Sequence, residues 1–202
     1  MQAIKTYFPH YKELSIHESS PGNRGVSPKL LKECKNYSSS HFYPDVPLGE
    51  KTSRNHLPCQ DLERMTFESD SFDLFITQDV MEHIFNPVQA FQEIHRVLKE
   101  GGAHIFTVPL LNKEKDSECW ASKDSDGKIC YHHEPEYHGN PINKKGSLVT
   151  MHWGYDLAEF IQRHSGMTTT ILLIDNIDLG IRAELIEVMI SRKPKSRTEE
   201  TV

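Results

Sequence analysis

No stretch of the 202 residues is apolar for long enough to span a bilayer, so a helical membrane protein is not expected. Positive charge is not in excess: 23 Lys and Arg stand against 29 Asp and Glu, a formal net charge of -6. No overall positive field is therefore available to hold nucleic acid or an anionic membrane, and small or neutral partners are favoured. Cysteine is scarce and scattered. Cys34, Cys59, Cys119 and Cys130 include no CxxC pair, and the N-terminus shows no charged-then-apolar leader. The expectation is reduced thiols in a cytoplasmic protein. The length suits one domain, residues 1–202, with room for an insertion but not for a second full domain.

What is present is concentrated in residues 71–111. Phe72, Leu74, Phe75 and Ile76 form an apolar run too short for a helix, bounded by Ser71 and Asp73 before it and Thr77, Gln78 and Asp79 after it. Pro87 suits a first helical turn, and Val88, Phe91, Ile94, Val97 and Leu98 then recur at helical spacing among polar Gln92, Glu93, His95, Arg96 and Lys99. Gly101 and Gly102 are expected to stop that helix, after which 104–108 resumes as a strand. Strand, crossover helix and strand predict an open parallel α/β sheet.

The rest of the chain fits around this unit. Residues 14–16 read as a minimal first strand ending in the turn formers His17 to Gly22, and Ser27-Pro28 opens a helix through Leu30, Leu31 and Cys34. Residues 37–43 read as a second strand, 44–54 as a turn-rich connection and 57–59 as a short third strand. Residues 110–148 lose periodicity but keep aromatics and histidines, which favours a functional lid over a solvating linker. A helix over 155–164 and strands over 168–174 and 184–190 complete the pattern, the last two as an antiparallel edge. Open sheets of this kind bind ligands outside the carboxyl ends of their strands.

The run FDLFITQDVMEHIFNPVQAFQEIHRVLKEGG resembles the class I S-adenosylmethionine-dependent methyltransferases of the small-molecule, type 11-like group. The resemblance is specific over residues 57–109 and looser over nearly the whole chain, through CQDLERMTF upstream and EYHGNP and MHWGYDLAEFI downstream. It implies a Rossmann-like methyltransferase sheet, mostly parallel with an antiparallel C-terminal edge and helices on both faces. It also implies S-adenosyl-L-methionine as cofactor and a lid-like insertion at about 110–150.

One departure stands out: the first glycine motif is absent. Ser15 takes the place of the usual acidic residue, and His17, Ser19 and Pro21 take the places of glycines. Two readings follow. Either Glu18 pairs the cofactor ammonium while Ser19, Ser20 and nearby amides receive its carboxylate, or HESSPG is a tight turn that no longer admits the cofactor. At the second strand end no acid sits squarely in place for the ribose diol; His41 is either a ribose contact or an ordinary strand residue. The resemblance assigns Asp61 to the adenine amino group and the adjacent amide, that of Leu62, to the ring. It places Gln78 and Asp79 beside the methionine portion.

Methyl transfer from a sulfonium needs alignment and a dry cavity more than strong acids or bases. An acceptor hydroxyl or amine must nevertheless lose a proton. The resemblance turns His83 toward the acceptor pocket, and imidazole titrates near neutrality, so His83 is the first candidate base. A structural pairing with Glu82 at a helix start is the competing account. The resemblance places Tyr137, His138 and Gly139 in the lid, with His138 as a second candidate base.

The cluster YHHEPEYHGNP holds competent metal ligands in His132, His133, Glu134, Glu136 and His138, but their spacing is neither helical one-face nor knuckle-like. No metal is expected on that pattern. Three functions remain: methyl transfer to a small-molecule or glycan-like acceptor, a methyltransferase-like binding module that has lost the cofactor, and a metal-dependent hydrolase built on the His-rich segment.

Overall fold

A computed structural model describes residues 1–51, 57–140 and 145–196. The expected connection at 44–54 and the end of the His-rich cluster at Pro141 fall partly outside these residues. The chain opens with helix α1 (Gln2–Tyr7), followed by strand β1 (Ser15–Ser19), helix α2 (Ser27–Glu33) and strand β2 (Asn36–Ser40). Strand β3 (Phe72–Gln78), helix α3 (Pro87–Val97) and strand β4 (Leu98–Thr107) form the crossover unit. Seven short strands come next: β5 (Leu110–Asn112), β6 (Glu118–Cys119), β7 (Ala121–Lys123), β8 (Ile129–Tyr131), β9 (Tyr137–His138), β10 (Ser147–Leu148) and β11 (Met151–Gly154). Helix α4 (Leu157–Ser165) and strands β12 (Thr168–Leu173) and β13 (Glu187–Arg192) finish the fold.

The central sheet has the order β12-β13-β4-β3-β1-β2. Strands β2, β1, β3 and β4 are mutually parallel, and β13 runs antiparallel to both β4 and β12. The expected mostly parallel sheet with antiparallel C-terminal strands is what forms. Its strand alternation separates two cores. Phe75, Phe91, Ile94, Phe106 and Trp153 fill the face covered by α3 and α4, whereas Ile4, Ile16, Leu30, Leu74 and Ile76 fill the face covered by α1 and α2. Helices thus cover both faces. Among the described residues, no helix is long and apolar enough to cross a membrane.

Helix α3 starts where its sequence says it should. The Asn86 side chain caps it by accepting from the Gln89 amide at 3.1 Å, and Pro87 occupies the first turn. Its end differs from expectation. Leu98 already belongs to β4, and Gly101-Gly102 lie inside that strand, where the β3–β4 register shifts between Phe72 and Leu74. A Cβ on Gly102 would stand 2.8 Å from the Lys99 carbonyl oxygen and 3.0 Å from that of Asp73, so glycine serves a bulge and not a helix cap.

Two further expectations are corrected. β1 extends through His17, Glu18 and Ser19, because pairing with β2 and β3 on either side makes it a central strand despite its polar side chains. The third strand at 57–59 is reduced to single bridges, His41 with Cys59 and Lys51 with Pro58. The described residues between β4 and α4, where a lid-like insertion is expected, form short ladders. β11 pairs parallel with β5 and antiparallel with β6, and Thr150 ties it to the segment after β3 by donating to the Glu82 and Ile84 carbonyls.

Candidate active site at the C-terminal edge of the sheet

The β1 exit is closed on itself. His17 is buried among Phe67, Phe72 and Phe75, with its ring nitrogens 2.9 Å from the hydroxyls of Ser38 and Ser40. Burial drives its pKa down to about 3, so the ring is neutral and structural. Glu18 is fully buried on the opposite face. Its Oε1 accepts from Ser27 Oγ at 2.7 Å and Gln78 Nε2 at 2.6 Å, and its Oε2 accepts from Tyr37 at 2.7 Å. Neither side chain belongs to an open loop, and the Glu18 carboxyl, expected to face an ammonium group, is taken up here by Ser27, Tyr37 and Gln78. Ser19 is buried at the strand end, and Ser20 makes the turn with φ +58°, in the left-handed region that glycine usually supplies.

At the β2 exit, His41 is mostly buried and packs edge-on against Tyr43, and burial lowers its pKa. Asp61 is half-buried and accepts from the Glu63 amide at 2.9 Å, closing the local turn as an Asx motif. The Leu62 side chain is in the core. Any role it has toward a ligand is therefore through its backbone. Gln78 ends β3 with its amide committed to Glu18, and Asp79 follows with φ +52°, accepting from Thr107 Oγ1 at 2.9 Å.

Four residues past β3 the character of the edge changes. Glu82 is buried, yet among the described residues neither of its carboxylate oxygens has a hydrogen-bond partner. Burial pushes its carboxyl up to about 8. His83 and His138, 55 positions apart in the chain, meet here with ring centroids 5.1 Å apart. His83 Nδ1 is 2.9 Å from the Leu148 carbonyl, and burial lowers the ring's pKa. Glu136 then joins His138 at 3.0 Å to His152 at 2.9 Å, and Trp120 stacks on His152 at 3.7 Å. Of these, Glu82 is legible in the sequence only as a helix-start acid, Glu136 only as one of several ligand types, and His152 only as a histidine near the His-rich cluster.

A cavity of about 550 Å³ opens at the same edge on the α1/α2 face, bounded by Ile4, Lys29, Ile76, Gln78, Thr107 and Arg182 among others. Most of this wall is apolar, which suits a small ligand with a few polar anchors.

Residues 26–106 match the model of a methyltransferase domain family. Over 71 residues the chain is 30% identical to a malonyl-[acyl-carrier protein] O-methyltransferase of a Marinomonas strain, covering 35% of this chain and 26% of that protein. The matched segment thus spans about a quarter of that curated relative. The whole fold is similar to an S-adenosylmethionine-dependent methyltransferase of Mesorhizobium loti, with TM-score 0.58 and 14% identity over 95% of this chain and 96% of that one. It is equally similar to the 1,6-didemethyltoxoflavin-N1-methyltransferase of Burkholderia thailandensis, solved with its acceptor and S-adenosylhomocysteine. That comparison has TM-score 0.59 and 10% identity over 96% of this chain and 76% of the other. The central sheet therefore has the Rossmann-like fold of these methyltransferases.

Proposed function

We propose that this chain, built on the class I methyltransferase fold, transfers the methyl group of S-adenosylmethionine to a small-molecule acceptor. The observation that carries the reading is the methyltransferase-domain match over 26–106, a segment running from the start of α2 to the end of β4. It thus includes the β2 and β3 exits, where strands of an open parallel sheet present ligand groups.

The rim residues fit the cofactor unevenly. Asp61, half-buried, is the residue we assign to the adenine amino group, with the Leu62 amide for the ring and His41 for the ribose. At the amino acid end Glu18 is spent on Ser27, Gln78 and Tyr37, which leaves Ser19, Ser20 and the main chain of the turn, with Gln78 and Asp79 across from them. The cofactor supplies an electrophilic methyl group on sulfur; the chain's own work is to align it and exclude water. The apolar cavity beside Gln78, whose lining does not include His83 or His138, has room for a small ligand. For an acceptor bearing O–H or N–H, His83 and His138 are the proton acceptors at this edge.

The binding-module reading has one specific observation in its favour, the inward turn of His17 and Glu18. Calorimetry with S-adenosylmethionine and S-adenosylhomocysteine separates the two. Saturable one-to-one binding of both is expected, weakened by Asp61→Ala; no heat with either compound leaves only the binding module.

A further inference from the structure

We propose that Glu82 Oε1, His83 Nε2 and His138 Nδ1 form a binding site for a divalent transition-metal ion of the zinc type. The proposal stands on how hydrogen bonds fix the two rings. A backbone carbonyl only accepts, so His83 must carry its proton on Nδ1 to satisfy Leu148 at 2.9 Å, which leaves a lone pair on Nε2. Glu136 likewise requires the proton of His138 on Nε2, at 3.0 Å, which leaves a lone pair on Nδ1. Both lone pairs face the same buried oxygen, at 3.6 Å from His83 and 3.7 Å from His138. These separations are too long for hydrogen bonds.

Three potential ligand atoms therefore converge, and one belongs to a buried carboxyl group whose two oxygens have no hydrogen-bond partner among the described residues. A cation removes that cost. The spacing suits one: zinc bonds of about 2.0–2.1 Å put neighbouring atoms of a tetrahedron about 3.3 Å apart. The three atoms all lie within 4.8 Å of one another, so side-chain adjustments of a few tenths of an ångström to about an ångström close the triangle. Two imidazoles and one carboxylate favour zinc, iron or cobalt over magnesium, which prefers an all-oxygen shell.

The outer groups have the arrangement such a site needs. Leu148 orients His83 and Glu136 orients His138, in the pattern of a carboxylate or carbonyl holding a ligating histidine by its far nitrogen. Glu136 is itself anchored by His152, whose ring stacks on Trp120. None of this depends on the transfer reaction. An ion and a proton compete for the same two lone pairs, so the base role of His83 and His138 belongs to the ion-free chain.

The test is calorimetric titration of the chelator-stripped full chain with zinc chloride, in excess magnesium, followed by visible absorption of the cobalt-loaded form. One equivalent of zinc is expected, with cobalt bands typical of mixed nitrogen and oxygen ligation. Glu82→Gln, His83→Ala and His138→Ala should each weaken binding at least about tenfold, and Glu136→Gln about 10- to 100-fold. His133→Ala, which removes an exposed partner of Glu118, should leave binding unchanged. Zinc should also raise the melting temperature of the parent chain and not that of Glu82→Gln, a readout independent of how the alanine variants fold. No binding at about 100 μM zinc, a level that should saturate a site of this class, overturns the proposal. So does binding that survives all three ligand substitutions.

Discussion

The exits of β1 and β3 lie side by side in the sheet and both carry a buried glutamate, but the two carboxylates are treated oppositely. Glu18 is met by three donors and sits in a closed network with Ser27, Tyr37 and Gln78. Glu82 is met by two histidines that turn their lone pairs toward it. A buried polar group with every valence filled holds a structure together, while one left unfilled is a cost that the fold keeps only if something occupies the site. The first exit is architecture and the second is the better candidate for chemistry.

The strongest way to break that contrast is to truncate Glu18. Glu18→Ala strands three donors and should destabilise the chain on the order of 4 kcal/mol in urea unfolding. Glu82→Gln, which replaces a buried carboxyl group without a hydrogen-bond partner by a neutral amide of the same shape, should leave stability unchanged or raise it. Equal losses for the two would end the distinction. Next in size is the base role: with the ion-free chain, His83→Ala and His138→Ala should lower turnover on an O–H or N–H acceptor about a hundredfold while cofactor binding is retained. Unchanged turnover in both removes that role. Asp61→Ala should weaken cofactor binding by about 1.5 to 3 kcal/mol without altering the unfolding midpoint by a comparable amount.

A further effect is graded with pH. Burial holds His17 and His104 at about 3, and in the unfolded chain they titrate near 6.5. Below the latter value the unfolded form binds more protons, so stability is complete above about pH 6.5 and is lost as pH falls toward 3. The slope should be about 1.4 kcal/mol per pH unit for each ring. Urea midpoints measured between about pH 7 and 5 should show this slope, and His17→Gln should remove its share; a slope unaffected by that substitution would mean that another group dominates.

Legibility followed periodicity. β3, α3 and the C-terminal part of β4 are readable because apolar spacing and the Asn86-Pro87 start act locally. β1 was truncated in the reading because His17, Glu18 and Ser19 look like turn formers until β2 supplies hydroxyls to the imidazole and α2 supplies Ser27 to the carboxylate. Gly101-Gly102 carried a true conformational demand assigned to the wrong element, since a bulge and a helix stop ask for the same residue. The segment expected to form a lid holds strands of two to four residues each, too short for a pattern to show. His83 and His138 were singled out separately by residue chemistry and resemblance. Their meeting depends on Thr150 fastening β11 to the turn after β3, a contact between residues 66 or more positions apart.

The two tryptophans occupy settings with different optical fates. Trp153 is sealed against Phe91 and Phe160, while Trp120 lies face to face with the imidazole of His152. Emission from the first reports whether the interior is intact. Emission from the second reports on His152, which Glu136 links to the histidine pair, so the molecule carries its own two-channel fluorimeter without a dye attached.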